Sequence, residues 1–115
     1  MNLEQFFKIK KTAKDIDKEL QNEMEVSDEE VTVMHYLYSR NGELVSIKQV
    51  VEDTGLKYSI ANRAINKMYL NQKIEKERKR EDQRTVYIGM SNQQLEDAWL
   101  VMEMIEEKIK DINLV

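Results

Sequence analysis

The chain has 115 residues, enough for one domain with a single modest core. Hydrophobic residues make up 41% of it and charged residues 35%, with 3 Gly and no Pro, which favours a folded, mostly helical domain over a disordered one. The absence of Cys excludes disulfides, thiol catalysis, Cys-type zinc sites and a cysteine redox switch, and the net charge of −4 argues against a polyanion partner unless the charge is segregated.

Residues 2–24 read as an amphipathic helix with Phe6, Ile9, Ala13, Ile16 and Leu20 on one narrow stripe. Ser27-Asp28-Glu29-Glu30 has the form of a capping box, which opens a second helix to about Ser39 with Val31, Met34, Leu37 and Tyr38 facing inward. Arg40-Asn41-Gly42-Glu43 is a turn, where Gly accepts a positive φ. After a short extended piece at Leu44-Val45, Ser46-Ile47-Lys48-Gln49 offers another capping box, starting a short helix that buries Ile47, Val50 and Val51.

Thr54-Gly55-Leu56 breaks that helix, and another follows from about Tyr58 to Asn71. It places Ala61, Ala64, Ile65 and Met68 on one face and Ser59, Asn62, Arg63, Asn66 and Lys67 on the other. A short helix, a Gly-containing turn and a second helix form a helix-turn-helix pattern. From Ile74 to Met90 the period becomes two, interrupted by the charged Arg80-Glu81-Asp82-Gln83, so a β-hairpin is expected next and the order is that of a winged helix. Ser91-Asn92-Gln93-Gln94 caps a last helix, in which Leu95, Ala98, Met102, Ile105, Ile109 and Ile112 repeat like a short coiled-coil seam. The fold class is mainly α with a small β-hairpin, in the order α-α-(β)-α-α-β-β-α.

No apolar run approaches the ~20 residues that span a bilayer. The opening Met1-Asn2-Leu3-Glu4-Gln5 lacks the basic start and apolar stretch of a signal peptide, so a cytoplasmic, membrane-free protein is expected. An enzyme is not expected. His35 is the single His and reads as a packing or surface residue rather than a base or metal ligand. The carboxylates of Asp28-Glu29-Glu30 and Glu106-Glu107 read as capping and solubility, and the 3 Gly lie too far apart for a phosphate loop. No metal and no cofactor is expected.

The charge is segregated. Residues 57–84 carry nine Lys or Arg against four Asp or Glu, a net +5, while residues 27–56 and 85–115 each carry −4. Phosphate contacts act within a Debye length of ~8 Å, so the local surplus matters more to DNA than the average. On the second helix of the helix-turn-helix, Asn62 and Asn66 are suited to adenine edges, Arg63 to guanine, and Ser59 and Lys67 to phosphate. Any solvent-facing helix is polar, so the hairpin decides the reading. It carries Lys73, Lys76, Arg78, Lys79, Arg80 and Arg84, and a tip with Lys79, Arg80 and Arg84 can straddle a phosphate ridge and place an Arg in a narrow minor groove, in preference to serving only as a basic edge against aggregation.

The stripes of residues 6–20 and 95–112, extended by Trp99, Val101 and Met104, are read as a two-fold interface between copies, in preference to pairing within one chain alone. The domain expectation is therefore one winged-helix domain over 1–115. Residues 1–24 form its N-terminal dimerisation helix, 27–90 its DNA-binding part and 91–115 its C-terminal dimerisation helix.

At Ala64-Ile65-Asn66-Lys67-Met68, Lys76-Glu77-Arg78 and Asp82-Gln83-Arg84-Thr85-Val86 the chain resembles the MarR-type winged-helix regulators, and among them the short staphylococcal accessory regulators (SarA-like). Glu29-Glu30 adds to the likeness, which runs in detail from about residue 27 to 90. The resemblance implies a homodimer that binds AT-rich promoter DNA and activates or represses genes, often virulence and surface-protein genes. It maps the recognition positions onto Lys57 to Lys67 and the basic wing positions onto Arg78 and Arg84, with Asp82 as the acid that orients the wing arginine. Gln83 stands where the family usually has Glu, and the Cys through which some relatives sense oxidation is absent.

The expected DNA-contact set is thus Lys57, Ser59, Asn62, Arg63, Asn66 and Lys67 with Lys76, Arg78, Lys79, Arg80 and Arg84. The alternative is a winged-helix interaction module that docks a partner protein and leaves DNA alone.

Overall fold

The computed structural model describes residues 1–79 and 81–110, including all of their side chains except those of Asp82 and Gln83. Arg80 and Ile112, both expected at functional positions, lie outside the described residues, as does the side chain of Asp82. The residues group into two compact units, one made of Met1–Ser27 with the chain from Leu100 on, the other of Asp28–Trp99.

In the first unit, helix α1 covers Leu3–Glu19. Asn2 caps it reciprocally: its Oδ1 accepts from the Gln5 backbone N–H at 2.8 Å, and its own N–H donates to Gln5 Oε1 at 2.9 Å. The helix ends in a π-helical turn, Leu20–Met24, closed by Glu25 in the left-handed region at φ 53°. α1 has no fully buried residue, whereas Leu20, Val26 and Val101 are buried. Lys108 pairs with Glu19 at 3.0 Å.

The second unit is the winged helix that the sequence pattern predicts. It contains α2 (Asp28–Ser39), β1 (Val45–Ser46), α3 (Ile47–Thr54), α4 (Tyr58–Leu70), β2 (Glu75–Lys79), β3 (Asp82–Gly89) and the start of α5 (Asn92–Lys110). The strands form one antiparallel sheet in the order β1-β3-β2, with Val45 opposite Ile88 and Lys76 opposite Ile88 on the other side. α4 packs against α2 and α3, and the core is built from Val33, Met34, Leu37, Val50, Ala61, Ile65, Met68, Ile74 and Ile88. At roughly 1.5–3 kcal/mol for each large apolar side chain removed from water, this cluster supplies most of the unit's hydrophobic stabilisation.

Several expectations need correction in detail. The buried stripe of α2 is Glu30, Val33, Met34 and Leu37, while Val31 and Tyr38 are half-buried flanks. A charged residue at the head of the stripe hides it from a hydrophobicity pattern. In α3 only Val50 is fully buried, with Ile47 and Val51 at its margins. The Ser46 capping box is half made: Ser46 Oγ accepts from the Gln49 N–H at 3.1 Å, but the Gln49 amide donates instead to Asp53 Oδ2 at 2.9 Å. The Ser91 box is complete, with both arms to Gln94 at 2.9 and 3.2 Å.

One glycine fixes how the turn after α2 meets the sheet. Gly42 has φ +75°, its carbonyl accepts from the Met90 N–H at 3.1 Å, and a Cβ on it would lie 2.5 Å from the Met90 carbonyl oxygen. Both the backbone angle and the contact with another backbone forbid a side chain there. Gly42→Ala is expected to lower unfolding stability by about 2–3 kcal/mol, combining left-handed strain with a clash that no rotamer relieves. Urea denaturation of the two proteins checks it, and an unchanged midpoint would contradict the close approach.

Candidate nucleic-acid interface

The helix-turn-helix is made by α3, a three-residue connection and α4. Gly55 ends α3 in the left-handed region at φ 79°, its N–H donating to the Val51 carbonyl at 3.0 Å. Thr54 Oγ1 donates to the Val50 carbonyl at 2.7 Å and accepts from the Leu56 N–H at 3.3 Å, which satisfies the chain through the break. Lys57 is the N-cap of α4 and makes no side-chain capping bond.

α4 is divided as its sequence requires. Ala61, Ala64, Ile65 and Met68 are at most 6% exposed, while Ser59, Arg63, Asn66 and Lys67 are exposed and Asn62 is half-buried. Three further large side chains stand out of this helix: Tyr58 at its first turn, 60% exposed, and Tyr69 and Leu70 at its end, 45% and 78% exposed. The sequence pattern passes over Tyr58, which occupies the N-terminal turn that a recognition helix turns toward base edges. Its signal in the sequence is an aromatic residue outside the apolar stripe.

The hairpin starts where α4 stops. Lys76 on β2 places its Nζ 2.6 Å from Asn66 Oδ1 and 4.8 Å from the centre of the Tyr69 ring, so the wing is tied directly to the outer face of α4. Lys79 Nζ lies 4.5 Å from the Tyr87 ring centre, on the strand opposite. Arg78 and Arg84 are exposed. The register jumps beside them, because Arg78 pairs with Val86 but Lys79 with Asp82. Residues 83–85 therefore bow out of the ladder, and a bulge of this kind re-aims the side chains it carries, here that of Arg84. Of the expected contact set, the structure brings Asn66 and Lys76 together as a bonded pair.

A polar bracket ties α3 to α2 and the turn after it. The Tyr36 hydroxyl donates to Asp53 Oδ2, Gln49 donates to the same oxygen at 2.9 Å, and Arg40 lies 4.0 Å from it and 5.5 Å from the Tyr36 ring centre. His35, by contrast, is exposed on α2. Among the described residues no three His, Asp or Glu side chains converge as a metal site would require, and no helix is long and apolar enough to cross a membrane.

A helix-turn-helix followed by a hairpin, with its sheet closed by a short strand before α3, defines a winged-helix protein. The profile described as transcriptional regulator SarA/Rot matches residues 8–98, and the chain belongs to this SarA/Rot family of transcriptional regulators. Its fold is similar to MepR, a transcription regulator of the Staphylococcus aureus multidrug efflux pump MepA. The TM-score is 0.77 at 12% identity, covering 96% of this chain and 81% of that one. It is also similar to MepR in the S. aureus MepR-DNA complex (TM-score 0.74, 12% identity, 96% and 81% covered). The transcriptional regulator BldR from Sulfolobus solfataricus gives 0.71 at 18% identity, with 98% and 83% covered. At such identities the likeness establishes the fold, the winged helix that the sequence resemblance implied.

Burial and the hydrogen bond to Asp53 raise the Tyr36 phenol above its ordinary value, while hydrogen bonds from Tyr36 and then Gln49 lower the Asp53 carboxyl below its own. The Asp53 contribution is complete above the ordinary carboxylate range and is lost as pH falls through the lowered folded value. The Tyr36 contribution is complete below ~10 and is lost as pH rises through the raised one. The difference in urea midpoint between the wild type and Asp53→Asn is therefore expected to stay constant from about pH 5 to 9. A difference that shrinks between about pH 7 and 5 would contradict this assignment.

Proposed function

We propose that the protein is a cytoplasmic homodimer that binds promoter duplex DNA sequence-selectively and thereby activates or represses transcription. One observation carries the reading: the exposed face of α4 and the base of the wing are joined through Lys76 and Asn66, inside the one stretch of chain with a net charge of +5. That makes a helix and a hairpin into one cationic surface, the arrangement that places a helix in the major groove and a wing on the neighbouring backbone. Membership of a transcriptional regulator family and the likeness to a protein crystallised with DNA support it. An arginine on the wing favours the narrow minor groove of AT-rich duplex, which is the operator class proposed here.

Dimerisation is supported by the apolar surface of the first unit. Leu3, Phe6, Phe7, Leu100 and Ile109 are 44% to 69% exposed, and Ile9, Ile16, Met102 and Ile105 are half-buried. Leu20 and Ala98, counted in the expected interface, are each 1% exposed within the single chain, so they have no area left to give a partner. The proposed contact is the remainder of the two stripes.

A gel shift on random duplex at low salt tests the central claim; no retardation would leave the interaction-module alternative. Arg84→Ala is expected to weaken binding to every sequence and to reduce the slope of log affinity against log salt by about one. Asn66→Ala is expected to cost ~1–3 kcal/mol on the preferred site and much less on random duplex. Equal loss on both substrates would contradict that role. For the interface, Phe6→Arg with Ile109→Arg is expected to sediment as a monomer, to lose the part of the parent's helical circular dichroism that the first unit contributes, and to bind an operator more weakly.

A further inference from the structure

We infer that Lys76 sets what Asn66 reads, turning an amide suited to adenine into a donor that favours guanine. The inference rests on the DNA-binding reading above and deepens it. An ammonium group has three donors and no acceptor, so the group facing Lys76 Nζ at 2.6 Å has to be the Asn66 oxygen, and the Asn66 NH₂ is turned away from it. The Tyr69 ring, 4.8 Å from the same Nζ, holds the lysine in place from one turn further along α4. Lys76 is itself fixed by β2, opposite the buried Ile88. The pair is thus built into the junction of helix and wing.

An asparagine selects adenine by using both ends of its amide: the oxygen accepts from N6–H and the NH₂ donates to N7. With a cation already on Oδ1, one of the two lone pairs of that oxygen is taken and the other sits in a positive field. An adenine N6–H brought there has one lone pair left to share and faces the ammonium charge beside it, which disfavours it. What the pair presents is an N–H from Asn66 and an N–H from Lys76 on either side of the amide oxygen, and the purine edge that offers two acceptors is O6 and N7 of guanine. Lys76 acts here as a positioning residue as well as a donor. Its effect is therefore on which base is chosen, beyond any general attraction to phosphate.

The test is selection of duplex sequences from a randomised pool by the full chain and its variants, followed by affinities on the selected duplex with the contacted base pair changed from G·C to A·T. Wild type is expected to prefer guanine at that position. Lys76→Met keeps the alkyl stem and frees Oδ1, and is expected to shift the ratio of guanine to adenine affinities toward adenine by about five- to tenfold, the worth of one base-edge hydrogen bond. Lys76→Arg, which keeps a donor on Oδ1, is expected to retain the wild-type preference. Asn66→Asp keeps a partner for Lys76 but removes the NH₂, and is expected to abolish the guanine preference, so the inference stays testable should Lys76→Met fold poorly. A uniform loss on all sequences with unchanged preference in Lys76→Met would show a plain phosphate contact and overturn the inference while leaving DNA binding intact. Failure of the wild type to bind any duplex would overturn both.

Discussion

Everything exposed on α4 is exposed because the other side of that helix is sealed. Ala61 and Ala64 are small enough to let the backbone come close to α2 and α3, and Ile65 and Met68 fill the space beyond them, all at 6% exposure or less. A helix held on one face by four side chains has no rotational freedom, so positions 59, 63, 66 and 67 must face solvent. The same constraint sets the start of the wing. Asn71 ends the helix and Ile74 is buried three residues later, which brings β2 back alongside the helix and puts Lys76 within reach of Asn66. A larger residue at Ala61 or Ala64 would act on the proposed DNA surface without touching it, by tilting the face it stands on.

Charge follows the same division. The chain is acidic as a whole, yet the stretch from Lys57 to Arg84 is basic, and its flanks from 27 to 56 and from 85 onward are acidic. Flanking carboxylates do not cancel such a patch at a distance beyond the screening length, but they do repel a polyanion from the rest of the surface. Segregation therefore orients as well as attracts. Within the patch, some of the cations are held by aromatic rings: Lys76 over Tyr69 and Lys79 over Tyr87. Ring contacts of this kind hold a lysine in one place without neutralising it, so its charge still acts on a phosphate or a base edge.

Features that depend on neighbours along the chain are legible in the amino-acid sequence by itself. The caps at Ser46 and Ser91, the turn at Gly42, the break at Gly55 and the apolar face of α4 each rest on residues within four of one another, where spacing carries the geometry. What escapes the pattern depends on distant partners. Tyr36 and Asp53 are 17 residues apart, and that carboxylate diverts Gln49 from the capping role its position suggests. Glu30 reads as a capping acid and is wholly buried. Asn66 and Lys76 read as two separate DNA contacts, because nothing in a ten-residue separation across a helix end and a strand start says that the two will bond. The stripe members Leu20 and Ala98 look identical in pattern to Phe6 and Ile109, and only burial tells core from surface.

The first unit shows why that last distinction matters. A helix of 17 residues with no fully buried side chain gains little from its own chain, and its capping box at Asn2 and the Glu19–Lys108 pair are surface interactions worth ~1 kcal/mol or less apiece. Yet the stripe on this helix carries four apolar residues in regular spacing, Phe6, Ile9, Ala13 and Ile16, none of them fully buried, which is a costly composition for a surface that stays wet. Such a helix acquires its stability from whatever covers the stripe. In the proposed dimer that cover is a second copy, so folding of this unit and association become one equilibrium, and the occupancy of DNA by two wings depends on protein concentration through the same helices.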